Sequence, residues 1–150
     1  MKRALIVSTA EEMEALGARL AAQCLPGIRI HLAGELAAGK TTFARGYLHG
    51  LGHAGAVKSP TFTLVESYAL TDRTVHHFDL YRLAAGELEF IGIEDYFEPE
   101  ADCLIEWAER GAPVLPTPDL SLSLRVVDAG REVQIESLTA SGDRIVSILA

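Results

Sequence analysis

Apolar residues recur along this chain in two rhythms, and the changes of rhythm divide it into elements. Ala4 to Val7 is a short apolar run that breaks at Ser8 and meets Glu11, Glu12 and Glu14, which reads as a first strand leading into a helix. In either frame, Ser8 or Thr9, a hydroxyl stands three residues ahead of a glutamate, a helix-start signature. Met13, Leu16, Leu20 and Cys24 give that helix one apolar face, and Pro26-Gly27 ends it. Ile28 to Ala33 reads as a second strand. Phe43, Tyr47, Leu48 and Leu51 then place a helix over Thr41 to Leu51, followed by a glycine- and histidine-rich loop from Gly50 to Gly55.

The second half alternates more than it spirals. Thr61 to Ala69 reads as a strand, Thr71-Asp72-Arg73 as a turn, and Thr74 to Phe78 as the returning arm of a hairpin. Leu88, Ile91 and Ile93 give a short helical pattern within Glu87 to Tyr96, and Ala101 to Ile105 is a short buried strand. Pro113, Pro116 and Pro118 form a stiff connector. Leu120 to Val127 and Glu132 to Leu138 alternate around Asp128-Ala129-Gly130-Arg131 as an antiparallel hairpin. Arg144 to Ala150 is a last apolar run, strand or helix. The pattern predicts one α/β domain over residues 1–150, with no repeat and no internal boundary.

One stretch between the second strand and the second helix carries chemistry. Gly34-Glu35-Leu36-Ala37-Ala38-Gly39-Lys40-Thr41 has the spacing of a phosphate-binding loop, in the strand–loop–helix context that such a loop needs. Glycines let the backbone wrap a phosphate with successive N–H groups aimed at its oxygens. The helix start adds unpaired N–H groups and the positive end of its dipole. Lys40 is expected to bridge the β- and γ-phosphates, and the Thr41 hydroxyl to take a Mg²⁺ position. Such a site also needs an acid, and two stand at the ends of apolar runs, Asp79 and Glu106. Spacing alone leaves open which of them is nearer the metal.

Composition narrows the function classes. At 150 residues, with 49% hydrophobic and 23% charged positions, the chain is globular, and no apolar stretch approaches the roughly 20 residues that span a bilayer. Cys24 and Cys103 are two widely spaced cysteines without a Cys-x-x-Cys pattern, which fits a reduced, cytoplasmic protein with incidental thiols. A formal net charge of −8 argues against a chain that grips nucleic acid by itself, because phosphate neutralisation supplies most of that affinity. His76 and His77 are adjacent and point to opposite faces of a strand, and none of the histidines has metal-ligand spacing.

Five blocks in order carry a resemblance: the loop 34–43, Val57-Lys58-Ser59-Pro60-Thr61-Phe62-Thr63-Leu64-Val65-Glu66, His77-Phe78-Asp79-Leu80-Tyr81-Arg82-Leu83, Glu87-Leu88-Glu89-Phe90-Ile91-Gly92-Ile93 and Leu104-Ile105-Glu106-Trp107. Together they resemble the TsaE family, bacterial P-loop ATPases of tRNA threonylcarbamoyladenosine synthesis. The resemblance implies a P-loop NTPase-like mixed sheet flanked by helices, with an antiparallel C-terminal hairpin. It implies ATP with Mg²⁺ at the loop, through Gly34, Glu35, Leu36, Ala37, Ala38, Gly39, Lys40, Thr41 and Thr42. Thr41 and Glu106 would hold the metal, and Asp79 would be the second catalytic acid. Ser59 and Thr61 would form a switch near the γ-phosphate, with Trp107, Thr9 and Arg131 near the nucleotide. At Ala37 the family usually carries Gly, and alanine disfavours φ > 0.

The implied partners are the carbamoyltransferase subunit of the modification complex and its inactive paralogue, with tRNA met only through them and no membrane contact. Two other classes fit a P-loop: a small-molecule kinase and a non-catalytic nucleotide-dependent binding module. A kinase of this size needs an arginine-bearing lid, and only Arg82 and Arg110 stand near the second acid in the chain.

Overall fold

The computed structural model describes residues 1–84, 87–90, 92–111 and 114–149, together with the backbone but not the side chains of Glu89 and Phe90. Ile91, Pro113 and Ala150, which enter the sequence reading, lie outside the described residues.

Among the described residues, seven strands form one mixed sheet in the order β1-β7-β6-β2-β5-β4-β3. Its centre is parallel: β2 (Arg29–Ala33) lies between β6 (Leu120–Val127) and β5 (Asp102–Glu106), and β5 lies beside β4 (Thr74–Asp79). The flanks are antiparallel, with β7 (Gly130–Ser137) and β1 (Lys2–Val7) on one side and β3 (Val65–Ala69) on the other. All five residues of β5 are buried, as befits a parallel strand covered on both faces.

Helices α1 (Ala10–Gln23) and α2 (Lys40–Gly50) pack together on one face, where Met13, Leu16, Leu20, Phe43, Tyr47 and Leu48 meet Ile30, Leu32, Leu104 and Leu122. They approach closely because Gly46 of α2 faces the backbone of α1; a methyl there would stand 2.0 Å from Glu14 O. Helix α3 (Ala140–Ile148) lies against β7 and α1. On the opposite face, Phe78, Cys103 and Ile105 pack under Leu80, Leu83, Leu88 and Ile93. Strand alternation therefore sends Val75, His77 and Asp79, with Asp102, Leu104 and Glu106, towards the α2 side.

The α1 start follows the expected capping chemistry: Glu12 N donates to Thr9 Oγ1 at 3.1 Å, and Ser8 N donates to Glu12 Oε1 at 3.2 Å. Several expected boundaries are corrected. The strand expected from Thr61 begins only at Val65, because residues 61–63 form a turn in which Leu64 N donates to Pro60 O at 2.7 Å and Leu64 adopts φ 73°. The helical pattern in Glu87 to Tyr96 resolves into two 3₁₀ turns, Glu87–Phe90 and Ile93–Tyr96, with Gly92 at φ 71° between them. The last hairpin turns more tightly than expected, since Gly130 already pairs with Val127. The closing run is a helix that starts at Ala140, four residues ahead of Arg144, because Thr139 caps it by accepting from Gly142 N at 3.1 Å.

A buried carboxylate ties these layers together. Asp102, fully buried at the start of β5, accepts from Tyr47 Oη at 2.7 Å, Arg73 Nη1 at 3.0 Å, and the backbone N–H groups of Gly27 and Ile28 at 2.8 and 3.2 Å. The sequence reading passed over this residue. Cys24 and Cys103 are free and buried, and burial pushes both thiols up to about 12. Among the described residues no helix is long and apolar enough to cross a membrane.

Replacing Asp102 by Ala leaves the Arg73 guanidinium and the Tyr47 hydroxyl buried without their partner. Urea unfolding should show a loss of about 3–5 kcal/mol; a loss below about 1 kcal/mol would mean that Asp72, which also pairs with Arg73 at 3.1 Å, suffices.

Candidate phosphate-binding site

The glycine loop leaves β2 at Gly34 and enters α2 at Lys40. Gly39 caps the helix at φ 113°, a conformation that a side chain strains to adopt. Ala37 nevertheless takes φ 65°. Its cost is of the order of 1–2 kcal/mol, and Arg131 holds the segment in place: Nε donates to Ala38 O at 3.1 Å and Nη2 to Ala37 O at 3.4 Å. Ala37, Leu64 and Trp107 are the non-glycine residues with positive φ among those described, and all three stand on segments that wall one cleft.

That cleft has a volume of about 420 Å³ and is bordered by the loop, α2, the 59–61 segment and the tips of β4 and β5. Lys40, Thr41 and Thr42 enter from α2, Ser59 and Thr61 from the turn, and Asp79, Glu106 and Trp107 from the strand ends. Parallel pairing puts Asp79 opposite Glu106 on adjacent strands. Their surroundings differ. Glu106 Oε2 accepts from Thr41 Oγ1 at 3.1 Å and from His77 Nε2 at 2.6 Å. Asp79 accepts from Thr61 Oγ1 at 2.9 Å and from Tyr81 N at 2.9 Å, and Thr61 Oγ1 also bonds Ser59 Oγ at 2.7 Å.

Lys40 is buried beneath the loop, donating to the carbonyls of Gly34 and, at 2.9 Å, Glu35. Its ammonium also sits 4.4 Å from the centre of the Trp107 ring. Burial pushes the ammonium below the ordinary lysine value, and the Glu106 and Asp79 carboxylates push it back up.

Most of the sequence-predicted residues converge here. Thr9 and Arg131 border a smaller recess of about 190 Å³ that shares Ala37, Gly39 and Thr42 with the cleft and also includes Ala38. Gly34 and Glu35 line neither space and take part through their carbonyls. Leu36 lines the cleft with its side chain largely exposed. Sequence reasoning missed the contact of His77 with Glu106, which follows from the β4–β5 register. It also missed the loop carbonyls as the targets of Arg131.

A glycine loop between a parallel strand and a helix, with a lysine and threonine at the helix start and acids on the neighbouring strand tips, defines an α/β protein of the P-loop class. The chain belongs to the TsaE family: the model for the threonylcarbamoyl adenosine biosynthesis protein TsaE matches residues 7–133. It is 49% identical over 121 residues to the tRNA threonylcarbamoyladenosine biosynthesis protein TsaE of Haemophilus influenzae, covering 80% of this chain and 77% of that one. To the protein of the same name in Bacillus subtilis it is 38% identical over 135 residues, covering 89% and 83%. The crystal structure of Bacillus subtilis YdiB superposes with a TM-score of 0.83 at 29% identity, covering 99% of this chain and 93% of that one.

Ala37→Gly removes the strained methyl but makes the unfolded chain more flexible. The net effect should be a gain of about 0.5–1 kcal/mol in urea unfolding; a loss would mean that the methyl makes packing contacts worth more than the strain.

Proposed function

We propose that this chain is a Mg²⁺-dependent ATP-binding protein and ATPase, weak by itself, that supports threonylcarbamoyladenosine modification of tRNA by acting on a protein complex in the cytoplasm. The observation that carries the reading is the meeting of Lys40, Thr41, Glu106, Asp79 and Thr61 around one cleft at the glycine loop. The loop N–H groups and Lys40 would take the phosphates, and the recess at Thr9 and Arg131 would take the nucleoside side of the ligand.

The donor set suits Mg²⁺. A hydroxyl and a carboxylate, 3.1 Å apart and both oxygen donors, match a hard cation that keeps several waters. Thr41 and Glu106 would hold it, and when bound it neutralises charge on the transferring phosphate. Asp79, opposite Glu106 and bonded to Thr61, would orient a water. Thr61 and Ser59 would sense the γ-phosphate by exchanging their present hydrogen bonds for contacts to it.

A kinase would need arginines over the cleft. Arg82 packs over Phe62 at 4.8 Å and Arg110 over Tyr81 at 5.3 Å, and neither lines the cleft. The partners in this reading are the carbamoyltransferase subunit and its inactive paralogue. Phe62, 84% exposed in the turn that carries Thr61, would offer them an apolar contact beside the cleft.

Lys40→Ala should weaken ATP binding about 10–100-fold in calorimetry, since a charge-assisted contact is worth about 1.5–3 kcal/mol; unchanged binding would reject the phosphate-loop reading. For the partner step, affinity for the complex should differ between ADP and a non-hydrolysable ATP analogue if γ-phosphate orders the 59–62 turn. Equal affinity in the two states would remove the switch, and tight, salt-sensitive binding of tRNA to the isolated chain would remove the partner as carrier of the RNA contact.

A further inference from the structure

Glu106 is held from two sides, and the glycine loop's helix supplies only one of them. Thr41 Oγ1 donates to Oε2 at 3.1 Å and lies 3.4 Å from Oε1. From the neighbouring strand, His77 Nε2 reaches Oε2 at 2.6 Å. His77 precedes Asp79 by two residues on β4, so its side chain falls on the same sheet face, and the register that sets Asp79 opposite Glu106 brings the imidazole under the carboxylate. In the tautomer with hydrogen on Nε2, the imidazole donates and the carboxylate oxygen accepts.

His77 is fully buried, and its other ring nitrogen, Nδ1, is buried with no partner among the described residues. An apolar side chain would fill the position without an unsatisfied nitrogen. The one side-chain hydrogen bond that His77 makes among the described residues is to Glu106.

We propose that His77 is a positioning residue for the metal site: its Nε2–H fixes the Glu106 carboxylate in the orientation that faces Thr41, so that the acid is set before Mg²⁺ arrives. The proposal rests on the reading of Thr41 and Glu106 as the Mg²⁺ holders. Hydrogen-bond partners of ligating side chains orient them, and losing one lowers metal affinity.

The test measures binding of a non-hydrolysable ATP analogue by calorimetry across a Mg²⁺ series and in EDTA. It compares the wild type with His77→Leu, His77→Gln, Glu106→Gln and the His77→Leu/Glu106→Gln double variant. His77→Leu should raise the half-saturating Mg²⁺ concentration about 10–100-fold with analogue affinity in EDTA unchanged, while His77→Gln, which keeps a donor at similar reach, should stay within about threefold of wild type. In the Glu106→Gln background His77→Leu should add nothing, since the two residues act as one unit. If thermal unfolding shows that His77→Leu does not fold, His77→Asn, with its donor one bond shorter, takes its place against His77→Gln.

Unchanged Mg²⁺ dependence, an equal loss in EDTA, a glutamine no better than leucine, or additive losses in the double variant would each overturn the proposal. A wild type whose analogue affinity ignores Mg²⁺ would overturn the metal reading and this inference together; a Mg²⁺-dependent wild type with an equally dependent His77→Leu overturns the inference alone.

Discussion

The buried carboxylate of Asp102 is the constraint on which the rest of this structure depends. It accepts hydrogen bonds from α2, from the β3–β4 turn and from the chain entering β2. A charge with no exposure must find such partners, because unpaired burial is far more costly than the bonds are favourable. The result is that β5 enters the sheet at a fixed level between β2 and β4. Four residues later the same strand delivers Glu106. An acid at the closed end of the strand thereby sets where the acid at the open end stands, and α2, tied through Tyr47, carries Thr41 to meet it.

The loop is restrained from the other side of the sheet. Arg131, at the start of β7, donates to the carbonyls of Ala37 and Ala38, so the C-terminal hairpin is part of the loop's scaffold. This explains how an alanine persists in a left-handed turn: the backbone is held at both carbonyls, and the strain is local. The two other left-handed residues, Leu64 and Trp107, stand where a strand meets the cleft wall, and both bend the chain sharply as it passes from sheet to site.

Much of this was legible in the sequence because it is local. The phosphate loop, its strand and its helix are set by residues within about a dozen positions of one another, and the Thr9–Glu12 cap lies within one turn. Asp79 and Glu106 stood out as acids at the ends of apolar runs. What stayed hidden is long-range. His77 looked like one of two neighbouring strand histidines until register placed it on Glu106, 29 positions away. Asp102 drew no notice inside the short buried strand, since its partners come from three other segments. The 61–64 turn escaped because Thr-Phe-Thr-Leu alternates like a strand, while distant Asp79 captures Thr61 and Leu64 N closes the turn on Pro60 O.

Several donors of the cleft are already engaged within the protein. Lys40 gives its hydrogens to the Gly34 and Glu35 carbonyls, and Thr61 gives its hydrogen to Asp79. The protein's own oxygens are therefore internal competitors, at these two side chains, of any phosphate that enters. Binding is an exchange whose net free energy is smaller than the contacts suggest. At Lys40 and Thr61, holding and releasing an anion would therefore differ by a swap of partners rather than by the making or losing of a bond.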